Sequence, residues 1–304
     1  MSGSDYKTKL PSKILKTRKY RIFNQRKVVA KLYQLFFIGL LFLSTHTLAQ
    51  SIQYDQQDLA GIINNYRFNA NLPTLQNHKA LQRIADRVAY LLAYDNTILR
   101  QKSTIGALFK NIDLDISFYR VFATYGNMQT TDLTKHLVEK NSADIFSQKY
   151  DYLSIGLYEK NNMQYIVALL AKEIQDTQSE VQKVIALTNQ ARRANGIYND
   201  VFYDEDLSRA ALKRAKETVR LFDHKRPDGR NFYTVFEEFG IDYIVSGENL
   251  ASGQADAYEV VNGWMNSPGH RANILTKDFD SIGVGLFFYQ GQAYWTQLFT
   301  KQAQ

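Results

Sequence analysis

The sequence predicts an α+β protein made of tandem α-β-α sandwiches, with helices packed on short antiparallel sheets. Three observations predict it. Stretches of helical periodicity are followed by a terminal hairpin pattern, as in "DLSRAALKRAKETVRLF" and later "SIGVGLFF…AYWTQLFT". The same helix-then-hairpin order occurs twice at a nearly constant spacing. The chain has no cysteine in 304 residues and is 45% hydrophobic, so its stability must come from apolar cores rather than disulfides.

The first segment is strongly basic. Residues 1 to 31 hold ten of the 37 Lys and Arg but only one of the 30 acids, Asp5, which leaves 27 bases against 29 acids elsewhere, a balance of −2. The net charge of +7 therefore belongs to this tail, and the remainder offers no electrostatic footprint for nucleic acid. An apolar run of nine, "LFFIGLLFL" (Leu35 to Leu43), and small residues ending at Ala49 follow. This is the pattern of a signal peptide, 1–49, cleaved near Ala49; the run is too short to span a bilayer. The expectation is a secreted protein, periplasmic or extracellular, whose membrane contact is limited to that N-terminal signal segment.

Residues 141 to 172 align without gaps on 270 to 301 at an offset of 129, with eight identities: Ala143, Ile145, Asp151, Gly156, Leu157, Tyr165, Leu169 and Lys172 with their counterparts. At an offset of 126, Leu81, Arg83, Ala85 and Ala89 fall on Leu207, Arg209, Ala211 and Ala215. Two domains are expected, 55–172 and 180–302, joined near "KEIQDTQSE".

The second copy carries the clearer pattern. Leu207, Ala211, Ala215, Val219 and Phe222 make one helical face, with Asp206 as N-cap and an end near His224, before the turn residues "RPDG". A further helix starts at Asp256, turns Tyr258, Val261, Trp264 and Met265 to one side, and stops at Pro268. Ile282, Val284, Leu286 and Phe288 then alternate along a strand that turns through "YQGQ".

Chemistry concentrates at the borders of these elements. His224, Glu248 and His270 stand beside turns, spaced by 24 and 22 residues, so three separate elements can bring them to one cleft. Two imidazoles can hold a divalent metal such as zinc, and a carboxylate can orient an imidazole or act as a general base. A capping or purely structural hydrogen bond is the plainer alternative for each.

Four motifs in order, "DHKRPDG", "SGENLA", "WMNSPGHRANIL" and "SIGVGLFF…AYWTQLF", resemble the CAP superfamily (cysteine-rich secretory proteins, antigen five, pathogenesis-related one), and above all its bacterial SCP-like extracellular branch. The resemblance covers about residues 180 to 300. It implies an α-β-α sandwich with an open cleft where two histidines and two glutamates gather and a divalent metal binds. His224, Glu248 and His270 match three of the four. The second glutamate has no counterpart, because Met265, Asn266 and Ser267 follow Trp264. In the first copy Asn141 stands for His270, Ile98 falls near His224, and "YGNMQTT" (125–131) stands roughly where "GENLASG" would be, as in a degenerate copy that kept its core and lost its site.

These features lead to an exported binding protein whose second domain holds a metal at His224 and His270 and a small apolar or polymeric ligand: a lipid, glycan or peptide. One alternative is a metal-assisted hydrolase, a peptidase or cell-wall enzyme, with Glu248 as base and His270 in the catalytic set. It lacks a second acid, and Ser267 lacks any strained-elbow signature. A structural or adhesive protein is the third reading, with the first domain's apolar surface as the interacting part.

Overall fold

Residues 56–303 are described in this computed structural model; the predicted signal segment, 1–49, lies outside them. In the first half the order is α1 (Gln56–Asn69), α2 (Lys79–Leu92), α3 (Lys102–Ala107), β1 (Ile116–Gly126), α4 (Thr130–Lys140), α5 (Ser142–Ile145), β2 (Tyr152–Lys160) and β3 (Met163–Glu173). The second half follows with α6 (Thr177–Ala194), β4 (Phe202–Tyr203), α7 (Glu205–Thr218), a 3₁₀ segment Phe232–Phe239, β5 (Tyr243–Ser252), α8 (Ala257–Met265), α9 (Pro268–Ile274), β6 (Ser281–Tyr289) and β7 (Gln292–Gln302).

The strands form two sheets, ordered β1-β3-β2 and β4-β6-β7-β5. All pairs are antiparallel except β4 with β6. Each sheet is buried on both faces, which makes three layers in each half. In the second half, α6 and α8 pack Val184, Val260 and Trp264 against Ile282, Val284 and Trp295. On the other face α7 packs Leu207, Ala210 and Ala211 with Phe236 and Leu298.

Strand β6 alternates as expected in Ile282, Val284 and Leu286, but the residues between them are buried too. Gly283 and Gly285 face α7 so closely that a Cβ on Gly285 would lie 2.2 Å from the Ala211 carbonyl carbon. On the first sheet, a Cβ on Gly156 would lie 2.1 Å from the Ala85 oxygen. Helix and sheet therefore meet backbone to backbone in both halves.

Two buried arginines also play matching parts. Arg192 donates from Nη1 to the carbonyls of Ile274 and Thr276, at 2.8 and 2.7 Å, and from Nε to Asn199. Arg67 donates likewise to Ile145, Ser147 and Pro73. Each ties its half's opening helix to carbonyls left unpaired at the end of a short helix, where such groups need partners.

Three expected details differ. Asp204, not Asp206, caps α7, accepting from the Leu207 N–H at 2.8 Å, while Asp206 pairs with Arg209 one turn on. The helix stops at Thr218 instead of near His224. There the Nη2 of Arg214 donates to the Asp223 carbonyl at 2.8 Å, holding the chain folded back on the helix it has just left. Asp256 does cap α8, but the buried face is Ala257, Val260, Val261 and Trp264, with Tyr258 pointing to solvent. Pro268 ends that helix by opening the next one, in the first-turn position that proline favours.

Candidate functional site

Strand β5 is an edge strand, and the site is assembled around it. Glu248 lies opposite Leu298 on the α7 face, and Asn249, opposite Gln297, points to the other face. From the α7 side, the folded-back segment brings the His224 Nδ1 to 2.8 Å from the Glu248 Oε2. From the other side, α9 brings His270, whose carbonyl accepts from the Asn249 Nδ2 at 3.1 Å. The structure thus brings the His224 ring to Glu248 and the backbone of His270 to the neighbouring Asn249.

Glu248 is fully buried, and its charge is answered by Arg214, which is buried as completely. The guanidinium grips the carboxylate with Nε to Oε1 at 2.7 Å and Nη2 to Oε2 at 3.3 Å. Its Nη1 reaches Glu217 at 2.8 Å. Glu217 also receives Arg226, which pairs in turn with Glu238, where Lys213 completes the chain. Three acids and three bases alternate through this network, so it is electrically balanced with His224 neutral, and such pairing is what allows charge to be buried.

The two imidazoles are tuned in opposite directions. The hydrogen bond and charge of Glu248 hold His224 above the ordinary histidine value. Burial and the neighbouring His224 push His270 below it. His224 is 58% exposed at its side chain, so with Nδ1 bonded to Glu248 its Nε2 is the nitrogen left for a ligand.

The placement of His270 is built by a ladder of amides. Asn273 donates to the Glu248 carbonyl at 3.0 Å and to the Asn249 Oδ1 at 2.9 Å. Asn249 donates to the Gln297 Oε1, and Gln297 to the Thr188 hydroxyl. Gly247 makes room here, since a Cβ on it would lie 3.3 Å from the Asn273 Oδ1 of α9 and 2.9 Å from the Phe279 ring. Sequence reasoning missed Arg214, Asn249, Asn273 and Gln297. The signal for Arg214 was its place on the apolar stripe of α7, between Ala211 and Thr218.

The donor set tests the metal reading. His224 and His270 supply two imidazole nitrogens, and Glu248 orients one of them from behind, a common arrangement at metal sites. Among the described residues no group of three or more His, Cys, Asp or Glu is placed to hold an ion, so a metal here would take its remaining ligands from water or a bound molecule. The other two histidines among the described residues lie elsewhere: His78 caps α2, accepting from the Ala80 N–H, and His136 is exposed on α4.

In the first half the ladder places Val121 opposite Leu169, as Glu248 stands opposite Leu298. "RVFATYG" (120–126), rather than "YGNMQTT", is therefore the stretch in register with "GENLASG". Val88, three residues beyond Ala85, takes the place that Arg214 has beyond Ala211. An apolar pair stands where the second half has its buried ion pair.

The profile of the family described as "Cysteine-rich secretory protein family" matches residues 185–299. The uncharacterized protein YkwD of Bacillus subtilis is 40% identical over 120 residues, 39% of this chain and 46% of that protein. The uncharacterized membrane protein YlbC of the same organism is 32% identical over 133 residues, 43% of this chain and 36% of that one. The chain thus spans less than half the length of either relative. An extracellular SCP-domain protein of Bacillus anthracis aligns in structure with a TM-score of 0.39 and 20% identity, over 49% of this chain and 57% of the other. The family match lies across α7, β5, α9 and the closing hairpin, so it is the second half of this chain that is similar to the cysteine-rich secretory protein (CAP) family.

Proposed function

We propose that the chain is an exported binding protein whose CAP domain holds a divalent metal, zinc as the first choice, between the Nε2 of His224 and the ring of His270, together with a small apolar or polymeric ligand. The observation that carries this reading is the His224–Glu248 contact of 2.8 Å, with Glu248 locked behind it by Arg214. A carboxylate held in this way fixes an imidazole's tautomer and direction. It is a poor general base, since both its oxygens are already bonded. This favours binding over the hydrolase, in which Glu248 would have to take a proton from water. A bound metal would supply a Lewis acid and an anchor for an oxygen of the ligand.

In the same reading the first half is a second CAP-like unit that lost its site. What supports this is the repeated element order, the paired roles of Arg67 and Arg192, and the close glycines Gly156 and Gly285. Export rests on the N-terminal basic and apolar segments.

Zinc titration by calorimetry tests the site. Wild type is expected to bind saturably, and His270→Ala and His224→Ala each to lose about tenfold or more in affinity with unchanged circular dichroism. Both imidazoles must be neutral to ligate, and that of His224 holds its proton to higher pH than usual, so affinity should begin to fall above pH 6.5 on acidification. Equal zinc uptake by wild type and His270→Ala would overturn the metal reading. Turnover of a peptide or glycan substrate that Glu248→Gln abolishes would restore the hydrolase.

A further inference from the structure

A row of tyrosines crosses the first sheet where α2 stops covering it. Tyr125 on β1 and Tyr158 on β2 both stand directly opposite Tyr165 on β3, so all three rings leave the sheet on one face. Tyr125 and Tyr165 are stacked, 5.6 Å between centroids and 21° apart. Tyr158 meets Tyr90 and Tyr94 from the end of α2, at 5.1 and 6.3 Å, which extends the row to five rings. Beside it lies a cavity of about 410 Å³ lined by Leu92, Ala93, Asp95, Asn96 and the rings of Tyr94, Tyr125 and Tyr165.

Packing does not account for this row. Tyr94 is 59% and Tyr125 51% exposed, whereas rings that fill a core are covered. The fold does not require the ring of Tyr125 either: the position in register in the second half holds Ser252, while Tyr165 and Tyr158 answer to Tyr294 and Phe287. A half-exposed ring, Tyr125, held by its stacked neighbour and bordered by hydroxyl edges, suits a ligand that is flat and apolar on its faces and polar at its rim.

We propose that this row is a binding site for a neutral glycan, with a pyranose ring laid against Tyr125, the half-exposed end of the stacked pair, and its hydroxyls meeting Asn96 and the tyrosine hydroxyls. Charge argues for a neutral sugar over a polyphosphate. The cavity is lined by one acid, Asp95, and no base. Two cations beside the row, Lys160 and Arg87, lie over the rings of Tyr94 and Tyr90, at 3.6 and 4.8 Å, and Lys160 also donates to the Ala93 carbonyl. Single-stranded nucleic acid uses similar stacking platforms, but with a positively charged groove along the backbone.

The test titrates the full chain with a panel of neutral hexasaccharides (β-1,4-glucan, β-1,3-glucan and β-1,4-linked N-acetylglucosamine) and with oligothymidylate, followed by calorimetry and tyrosine emission. At least one hexasaccharide should bind saturably, and Tyr125→Ala should weaken it about tenfold, the scale of one lost ring contact. Tyr125→Phe should retain binding, and His270→Ala should leave it unchanged, so failure of the zinc site and failure of this site are distinguishable. Circular dichroism and tryptophan emission, which reports only on Trp264 and Trp295 in the second half, check that the variants fold. The proposal is overturned if no hexasaccharide binds, if Tyr125→Ala binds as wild type does, or if oligothymidylate alone binds and is released by salt.

Discussion

At the level of single residues, the Arg214–Glu248 pair decides how the site is read. A fully buried ion pair is weak evidence for stability, because desolvating both charges offsets their attraction. Val88 and Val121 occupy the corresponding places of the first half, Val88 fully buried, so an apolar pair is compatible with this architecture. Arg214→Val or Glu248→Val alone strands a buried charge and should cost about 3–5 kcal/mol, whereas the double substitution should stay within about 1 kcal/mol of wild type. Urea unfolding followed by tryptophan emission measures all four corners of the cycle; a double variant as unstable as the sum of its parents would sink the argument. In both Glu248 variants His224 loses the group that holds its proton. Because that pKa is raised on folding, the stabilisation from His224 is present below about pH 6.5 and fades as pH rises through the raised value. His270 has the opposite sign: its folded pKa is lowered, so stability declines as pH falls from the ordinary value toward the lowered one.

At the level of elements, the close meeting of helix and sheet sets the position of everything else. Gly285 and Gly156 let α7 and α2 lie against their sheets, and a Cβ at either would meet backbone atoms that cannot rotate away. Gly285→Ala should therefore cost about 3 kcal/mol, the upper end of ordinary overpacking. Gly263→Ala, on α8 where a Cβ meets nothing within 4 Å, should instead gain up to about 1 kcal/mol from helix propensity. Chemical denaturation of the two variants gives the comparison; a neutral Gly285→Ala would show that helix and sheet separate without penalty. This also explains what the sequence disclosed. The helices, the closing hairpin and the border positions of His224 and Glu248, which do meet, were readable, because apolar periodicity and turn residues are local signals. The length of α7 was not, since the chain beyond Thr218 is held back on the helix by the bond from Arg214 to Asp223, a contact that follows no local period. The amides behind His270 were hidden for the same reason: Asn249, Asn273 and Gln297 meet only once three elements are in place.

At the level of the whole described molecule, the two halves are joined by more than the short link from Glu173 to Thr177. The Ser117 hydroxyl donates to the Ala255 carbonyl at 2.8 Å, Lys149 pairs with Glu259 at 3.0 Å, and the β6–β7 turn presses into the first half. At that turn Gly291 has φ +73, and a Cβ on it would lie 2.9 Å from both the Phe109 and Tyr119 rings, which are themselves stacked at 4.4 Å. The pressed turn should make the two cores one cooperative unit. Both tryptophans belong to the second half, so their emission follows that core alone, while far-ultraviolet circular dichroism follows both. In wild type the two melting curves should coincide, as a single transition requires. Gly291→Asn isolates the contact, because asparagine tolerates the left-handed backbone and adds only the clash. The two curves of that variant should separate, with the tryptophan signal melting at a temperature different from the dichroism midpoint. Superimposed curves in Gly291→Asn would show that the coupling does not run through this turn, whereas separated curves in wild type would show that the halves fold independently, and the first half's glycan row would then have to be treated as the property of a domain on its own.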